Sequence, residues 1–300
     1  MAGLVETILF AAALILFILF FIPGKYRKYF GIAAWTALVA GLFAMLPELI
    51  LREGNVIYPV LIALSVVLLV IVIKHLLKED KPIMDFTCAG GVFCIIYVPF
   101  ILFKPLADWL IGTVIYWISA VFNATGFEYY RLAEGSAFYP DYWNFFFSVP
   151  PEETLMPGVG YVGIGYADEI VLGCTGITAI AILAAVVFLT HTTWIKKLLL
   201  LLLVTVPIYV VNVFRNVFVI TTYFNQSMPF FEEWFAGNPI PGFASYFWSH
   251  NVICEGAAFL VVIILAVILF KCMPGLLGTV RDIIMIFIGD IRTFVRGKKQ

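Results

Sequence analysis

Charged side chains are scarce in this sequence. Asp, Glu, Lys and Arg make up only 12% of the 300 residues, whereas hydrophobic residues make up 63%. Because a soluble globular domain is about one quarter charged and about half apolar, this composition excludes an ordinary soluble protein. The formal net charge of -1 provides no basic surface for a nucleic acid. We therefore expect no nucleic-acid partner.

Cysteine is also infrequent, and its spacing indicates neither a metal site nor a set of disulfides. The five cysteines lie in or beside apolar runs and form no Cys-x-x-Cys pair: Cys88, Cys94, Cys174, Cys254 and Cys272. We expect no metal and no organic cofactor. A cysteine in an apolar run usually packs as a small hydrophobic residue. Only Cys174, which lies in the segment GCTG, has neighbours that suggest another role.

Long apolar runs dominate the rest of the chain. About 20 apolar helical residues cross a bilayer core of about 30 Å. Eight runs approach this length: Thr7–Ile22, Phe30–Leu46, Val56–Ile73, Phe86–Phe103, Leu106–Asn123, Glu169–Thr190, Leu198–Thr222 and His250–Lys271. We predict an all-α integral membrane protein, a bundle of seven to eight transmembrane helices in residues 1–275. Residues 276–300 are predicted to form a cytoplasmic tail that contains an amphipathic helix with a basic end.

Lysine and arginine predict the orientation, because they accumulate in short cytoplasmic loops. They follow the first, third and last runs and separate the sixth from the seventh; the segments 48–55, 123–168 and 223–249 are acidic and predicted to be outside. Two runs lie between Lys81 and Asn123, but only an odd number of crossings can join a cytoplasmic loop to an outer segment. One of these two runs must therefore fail to cross. Leu106–Asn123 is the better candidate, since its polar residues share one helical face, and we predict that it lies in the outer interface. This gives seven crossings, with the N-terminus outside and the C-terminus inside.

The outer segments 123–168 and 223–249 are rich in Tyr, Phe and Trp. They form either a lid over a site at the outer leaflet or an ordinary aromatic belt at the headgroup level. Within the first, the stretch GVGYVGIGYADEI favours a short extended hairpin or a loop over a helix.

Three polar residues on separate apolar runs indicate a thiol enzyme. Cys174 is expected in the first turns of a helix that begins at Glu169, roughly 8 Å below its outer end, and Arg215 roughly 10 Å below the outer end of its own helix. His250 begins its helix from the outer side. A helix N-terminus and a nearby cation favour the thiolate, histidine can act as the general base, and arginine can stabilise an oxyanion. Alternatively, Arg215 pairs with Glu169 or Glu255, and His250 is an interfacial histidine.

The blocks DEIVLGCTGI, FRNVFVI and HNVICEG resemble the three signature blocks of the exosortase and archaeosortase family of membrane cysteine transpeptidases, and KPLADWLIG resembles the archaeosortase A branch. The resemblance implies Cys174 as nucleophile, with Arg215 and His250 as the other catalytic residues. It also implies an archaeal cell-membrane location and, as substrates, exported surface proteins that carry a C-terminal sorting signal. Such a signal contains a Pro-Gly-Phe type motif, a transmembrane helix and a basic tail. After cleavage, the acyl group passes to a membrane lipid with an amine headgroup or to water.

Asp168, Glu169, Asn212 and Asn216 are further site candidates, because neighbouring turns bring them near the cysteine or the arginine. Two other functions remain open. One is a membrane transporter with an anion site at Arg215, and the other is an inactive relative that only binds sorting signals.

Overall fold

The computed structural model describes residues 3–47, 57–132, 140–151, 155–156, 160–162, 165–190, 192–238 and 240–296. The chain is mostly helical. The longer helices are α1 (Leu4–Phe20), α2 (Arg27–Ala44), α3 (Ile57–Leu77), α4 (Lys81–Leu102), α5 (Lys104–Thr125), α6 (Ile177–Phe188), α7 (Trp194–Phe224), α9 (Glu255–Cys272) and α10 (Pro274–Arg296). A short helix α8 (Phe243–Phe247) and a π-helical turn (Trp248–Cys254) precede α9 without a break.

Five helical segments in the described part of the chain are long and apolar enough to cross a membrane: Pro59–Leu77, Lys81–Leu102, Lys104–Thr125, Trp194–Phe224 and Phe243–Cys272. Leu4–Phe20 and Ile177–Phe188 are apolar but shorter. These segments support the prediction of a helical membrane protein, whereas the predicted count of seven to eight crossings is not confirmed. The interfacial position of Leu106–Asn123 also stays a prediction, because α5 is itself one of the five segments. The predicted outer segment 48–55 lies outside the described residues.

The chain forms two compact units, the first made of Met1–Lys104, Ile180–Val204 and Ala266–Gln300. Its core contains apolar side chains of α1 to α4, such as Phe17, Trp35 and Val72. Trp35 stacks on Phe86 with ring centroids 5.3 Å apart. The C-terminal helix α10 packs within this unit, where Asp290 accepts hydrogen bonds from α3: one from Lys74 Nζ at 2.7 Å and one from His75 Nε2 at 3.1 Å.

The second unit consists of Pro105–Ala179 and Thr205–Leu265. Its core is formed by the buried face of α5, by α7 and by residues in or next to a small sheet. The buried residues are Ile111, Val114, Ile115, Ile118, Phe122, Phe146, Ile170, Val213 and Ile220. Two antiparallel sheets of two strands each lie in this unit. One pairs β1 (Phe145–Phe147) with β4 (Ala167–Glu169), and the other pairs β2 (Leu155–Met156) with β3 (Gly160–Tyr161).

The described residues of the stretch GVGYVGIGYADEI form no helix, as predicted. The stretch contributes β3 and β4, which pair with the earlier strands β2 and β1 and not with each other. Pairing with an earlier segment, which the local sequence does not specify, accounts for this difference.

The predicted start of the sixth helix at Glu169 is wrong, although a helix does form within the run Glu169–Thr190. Glu169 ends strand β4, Leu172–Thr175 forms a 3-10 turn, and α6 begins only at Ile177. Gly176 separates the turn from the helix with a left-handed φ of 77°, a conformation that glycine adopts without steric cost. Because the residues before Ile177 are not α-helical, the estimated depth of Cys174 does not hold.

The predicted start of the last membrane helix at His250 is also wrong. Helical structure begins at Phe243, and His250 lies in the π-helical turn about two turns further on. The aromatic and proline-rich composition before His250 resembles that of a loop, which explains the late predicted start.

Candidate active site

One pocket of about 510 Å³ contains the three residues predicted to be catalytic. Cys174 reaches it from the 3-10 turn, Arg215 from α7 and His250 from the π-helical turn. Asp168 and Glu169 also line it. Side chains from both aromatic segments complete the wall: Phe145, Tyr223, Ile240 and Tyr246.

Two asparagines of α7 hold the backbone of Cys174. Asn216 Nδ2 donates to the Cys174 carbonyl at 2.8 Å, and Asn212 Nδ2 donates to the same oxygen. The two asparagines are four residues apart, so they lie on successive turns of one helix face. Gly176 makes the close approach possible, because a Cβ there would lie 3.3 Å from the Asn212 side chain. Both predicted asparagines therefore belong to the site and contact the peptide group of the cysteine.

The environment of the thiol differs from the predicted one. Cys174 precedes α6, and its N–H donates to the Val171 carbonyl at 2.8 Å, so it is not in the first turns of a helix that could favour a thiolate. Burial raises the pKa of the Cys174 thiol and the Asp168 carboxylate raises it further, whereas a hydrogen bond between the Cys174 sulfur and the Val171 backbone and the charge of Arg215 lower it. The resting residue is therefore a protonated thiol that needs a proton acceptor before it can attack.

Arg215 and His250 form a direct contact. Arg215 Nη2 lies 3.0 Å from His250 Nε2, and His250 Nδ1 lies 2.7 Å from Asn251 Oδ1. Because guanidinium nitrogens only donate, His250 Nε2 must accept, and the proton of the neutral ring is on Nδ1. The ring also stacks on Tyr246, with centroids 5.0 Å apart. His250 is thus fixed with its basic nitrogen already engaged.

The alternative ion pairs of Arg215 do not form within the described part of the chain. No ion pair there joins Arg215 to Glu169 or Glu255; Glu169 Oε1 instead accepts a hydrogen bond from Asn144 at 3.2 Å. Arg215 Nε is buried and has no hydrogen-bond partner among the described residues. An unpaired buried donor is costly, so an acceptor that reaches this N–H would stabilise the site.

Asp168 is the acidic group most affected by the pocket. It lies on β4 opposite Phe146, and burial raises its pKa to about 7, although Arg215 acts in the opposite direction. A carboxyl group with this pKa exchanges its proton readily at neutral pH, as an acid–base catalyst must.

Sequence reasoning missed two supporting residues. The ring of Tyr246 stacks on the ring of His250 four residues later. Residues at this spacing are neighbours on a helix, so the contact could have been predicted if the helix had been expected to begin at Phe243. Asn144 is buried and donates both to Glu169 and, at 2.9 Å, to the Ile170 carbonyl, which holds the start of the cysteine segment. Nothing in the local sequence of Asn144 marks this role, because its partners are about 25 residues away.

In the described residues, no group of three or more His, Cys, Asp or Glu side chains could hold a metal ion. No protein-family model, curated protein sequence or solved structure matches this chain.

Proposed function

We propose that this chain is a membrane-embedded cysteine peptidase and transpeptidase that resembles the exosortase and archaeosortase family. The observation that carries the proposal is the common pocket of Cys174, Arg215 and His250, which come from three separate sequence blocks. The proposed substrates are exported proteins with a C-terminal sorting signal of the Pro-Gly-Phe type. The proposed topology has seven crossings, α5 in the outer interface and the pocket near the extracellular face of an archaeal cell membrane.

In the proposed reaction, the Cys174 sulfur attacks the carbonyl carbon of the scissile peptide bond. The tetrahedral intermediate collapses to a thioester, and the amine of the C-terminal fragment leaves. The buried Nε–H of Arg215 supports a role for this residue in stabilising the oxyanion, because such a donor acts strongly where water is excluded. Water or the amine headgroup of a lipid then attacks the thioester carbonyl; the carbon–sulfur bond breaks, and the proton lost by the attacking group returns to the Cys174 sulfur.

The contacts of His250 favour a positioning role over proton transfer. Its Nε2 accepts from Arg215, so it cannot take the thiol proton in this arrangement. Asp168 is the better proton acceptor, since it lines the same pocket and has a pKa of about 7. We assign to Asp168 the transfer of the thiol proton to the leaving amine, and to His250 the orientation of the guanidinium group. This replaces the sequence-based role of His250 as general base.

The test is cleavage of a membrane substrate that carries the sorting signal, in reconstituted bilayers, by the wild type, Cys174→Ala and Cys174→Ser. The wild type should shorten the substrate and both variants should fail while remaining folded. The mass of the product then identifies water or a lipid amine as the acceptor. Equal cleavage by Cys174→Ala would rule out the thiol mechanism. A transporter with an anion site at Arg215 would instead retain substrate flux without Cys174.

A further inference from the structure

A second polar pocket lies in the first compact unit, where the connection between α1 and α2 meets the connection between α3 and α4. Its volume is about 450 Å³. The lining residues are Pro23, Gly24, Lys25, Arg27, Lys28, Tyr29, Glu79 and Met84. Three of these side chains are cationic and one is anionic, so the lining carries a formal excess of two positive charges.

Contacts with neighbouring residues hold the Arg27 side chain in place. Arg27 Nε donates to the Phe20 carbonyl at 3.0 Å, and Arg27 Nη2 lies 3.4 Å from Cys88 Sγ. The guanidinium carbon also lies 4.5 Å from the centroid of the Phe20 ring. These contacts use only part of the five N–H donors of an arginine. The remaining donors are pre-oriented, which reduces the entropy lost when a ligand binds.

Lysines complete the positive lining. Lys28 Nζ forms an ion pair with Glu79 Oε1 at 2.8 Å, which places it at the pocket and neutralises the one carboxylate. Lys25 has no ion pair within the described part of the chain. Arg27 and Lys25 therefore supply the unbalanced charge, and an anionic ligand would neutralise it.

The position of the pocket along the helices indicates which anion it meets. Glu79 lies between the candidate membrane spans Pro59–Leu77 and Lys81–Leu102, so the pocket lies where these helices leave the hydrocarbon core. Tyr26 beside the pocket and Tyr29 in its lining are 62% and 53% exposed, as is typical of aromatic residues at the headgroup level. At this depth, lipid phosphates are the most abundant anions, and basic pockets between membrane helices bind anionic headgroups.

We propose that this pocket binds the phosphate group of an anionic phospholipid. Arg27 donates its free N–H groups to phosphate oxygens, as the planar guanidinium geometry favours, while Lys25 and Lys28 act as point charges. A lipid held there contacts both helix connections at once and so ties the α1–α2 pair to the α3–α4 pair. The proposal does not depend on the catalytic function proposed above.

The experiment measures lipid retention by the full-length, detergent-solubilised chain in native mass spectrometry. Phosphatidylglycerol, phosphatidylcholine and inorganic phosphate are titrated separately against the wild type, Lys25→Gln, Arg27→Gln and Lys78→Gln. Lys78 is the matched control, since it is an exposed lysine of the same helix connection that does not line the pocket. Lys25→Gln guards against a folding defect, because the substitution leaves every contact of Arg27 in place.

We expect the wild type to retain phosphatidylglycerol in preference to phosphatidylcholine. Lys25→Gln and Arg27→Gln should each weaken that retention by about fivefold, the effect of one cation near a lipid surface, and Lys78→Gln should leave it unchanged. If Lys25→Gln and Lys78→Gln weaken the retention of phosphatidylglycerol equally, the retention depends on general surface charge and the proposal is overturned. Retention of inorganic phosphate as strong as that of the lipid would overturn the assignment to a lipid headgroup.

Discussion

Replacing Asp168 by Asn tests whether this carboxyl group faces the Cys174 thiol. With a pKa of about 7, Asp168 is roughly one-tenth ionised at pH 6 and roughly nine-tenths ionised at pH 8. Only the ionised form opposes the thiolate, so the substitution should lower the thiol pKa at pH 8 and have little effect at pH 6. Each unit by which the pKa falls raises the thiolate fraction about tenfold. A thiolate of lower pKa is also a weaker nucleophile, so the alkylation rate rises by only about three- to fourfold for each unit.

The assay is alkylation of the reconstituted chain between pH 6 and pH 8, with Cys174 followed by mass spectrometry of its peptide. The ratio of the Asp168→Asn rate to the wild-type rate should rise with pH, with a midpoint near pH 7. Glu169→Gln is the matched control and should have a smaller effect, because the Glu169 charge influences the thiol pKa less than the Asp168 charge does. A ratio that is independent of pH would refute the placement of Asp168 beside the thiol.

Three further predictions follow from individual contacts. Asn216→Ala removes one of the two donors to the Cys174 carbonyl, which keeps its hydrogen bond from Asn212, and should reduce the free energy of unfolding by about 0.5–1.5 kcal/mol, measured by denaturant titration in detergent. His250→Gln, whose side-chain oxygen can still accept from Arg215, should retain more cleavage activity than His250→Ala; equally inactive variants would instead favour proton transfer by His250. For Asp290, partial burial raises the carboxyl pKa, but hydrogen bonds from α3 outweigh it and hold the pKa below the usual 3.8. The contribution of this carboxylate to the packing of α10 is therefore present above about pH 4 and lost as the pH falls further. In the wild type, α10 should become more accessible to protease below about pH 4. The Asp290→Asn variant should show no such change with pH.

Hydropathy was sufficient to predict the membrane class and the centres of the long helices. The run predicted as Leu198–Thr222 lies within α7, and Arg215 keeps its predicted place in it. This succeeds because a membrane helix satisfies its own backbone hydrogen bonds, so its existence depends on a local run of apolar residues. The same reasoning identified Cys174, Arg215 and His250, which share a pocket.

The details of the site depend on contacts between distant segments, and these were beyond sequence reasoning. Strand β4 forms because Ala167–Glu169 pairs with β1, about 20 residues earlier in the chain. This pairing replaces the helix that was predicted before Cys174. The hydrogen bond between Arg215 and His250 joins residues 35 positions apart and engages the Nε2 atom of the histidine. The π-helical turn that presents His250 has no sequence signature comparable to a helix cap.

The shortness of α6 has a consequence for the lipid around the protein. Its 12 residues extend about 18 Å, well short of a hydrocarbon core of about 30 Å. If the C-terminal end of α6 lies at one surface of that core, the turn that carries Cys174 lies about 12 Å below the opposite surface. Such a hydrophobic mismatch is relieved by local thinning of the bilayer, which would bring water and headgroups down to the thiol. Bilayer thickness would then control how far water reaches Cys174, because shorter acyl chains lower the energy needed to thin the bilayer.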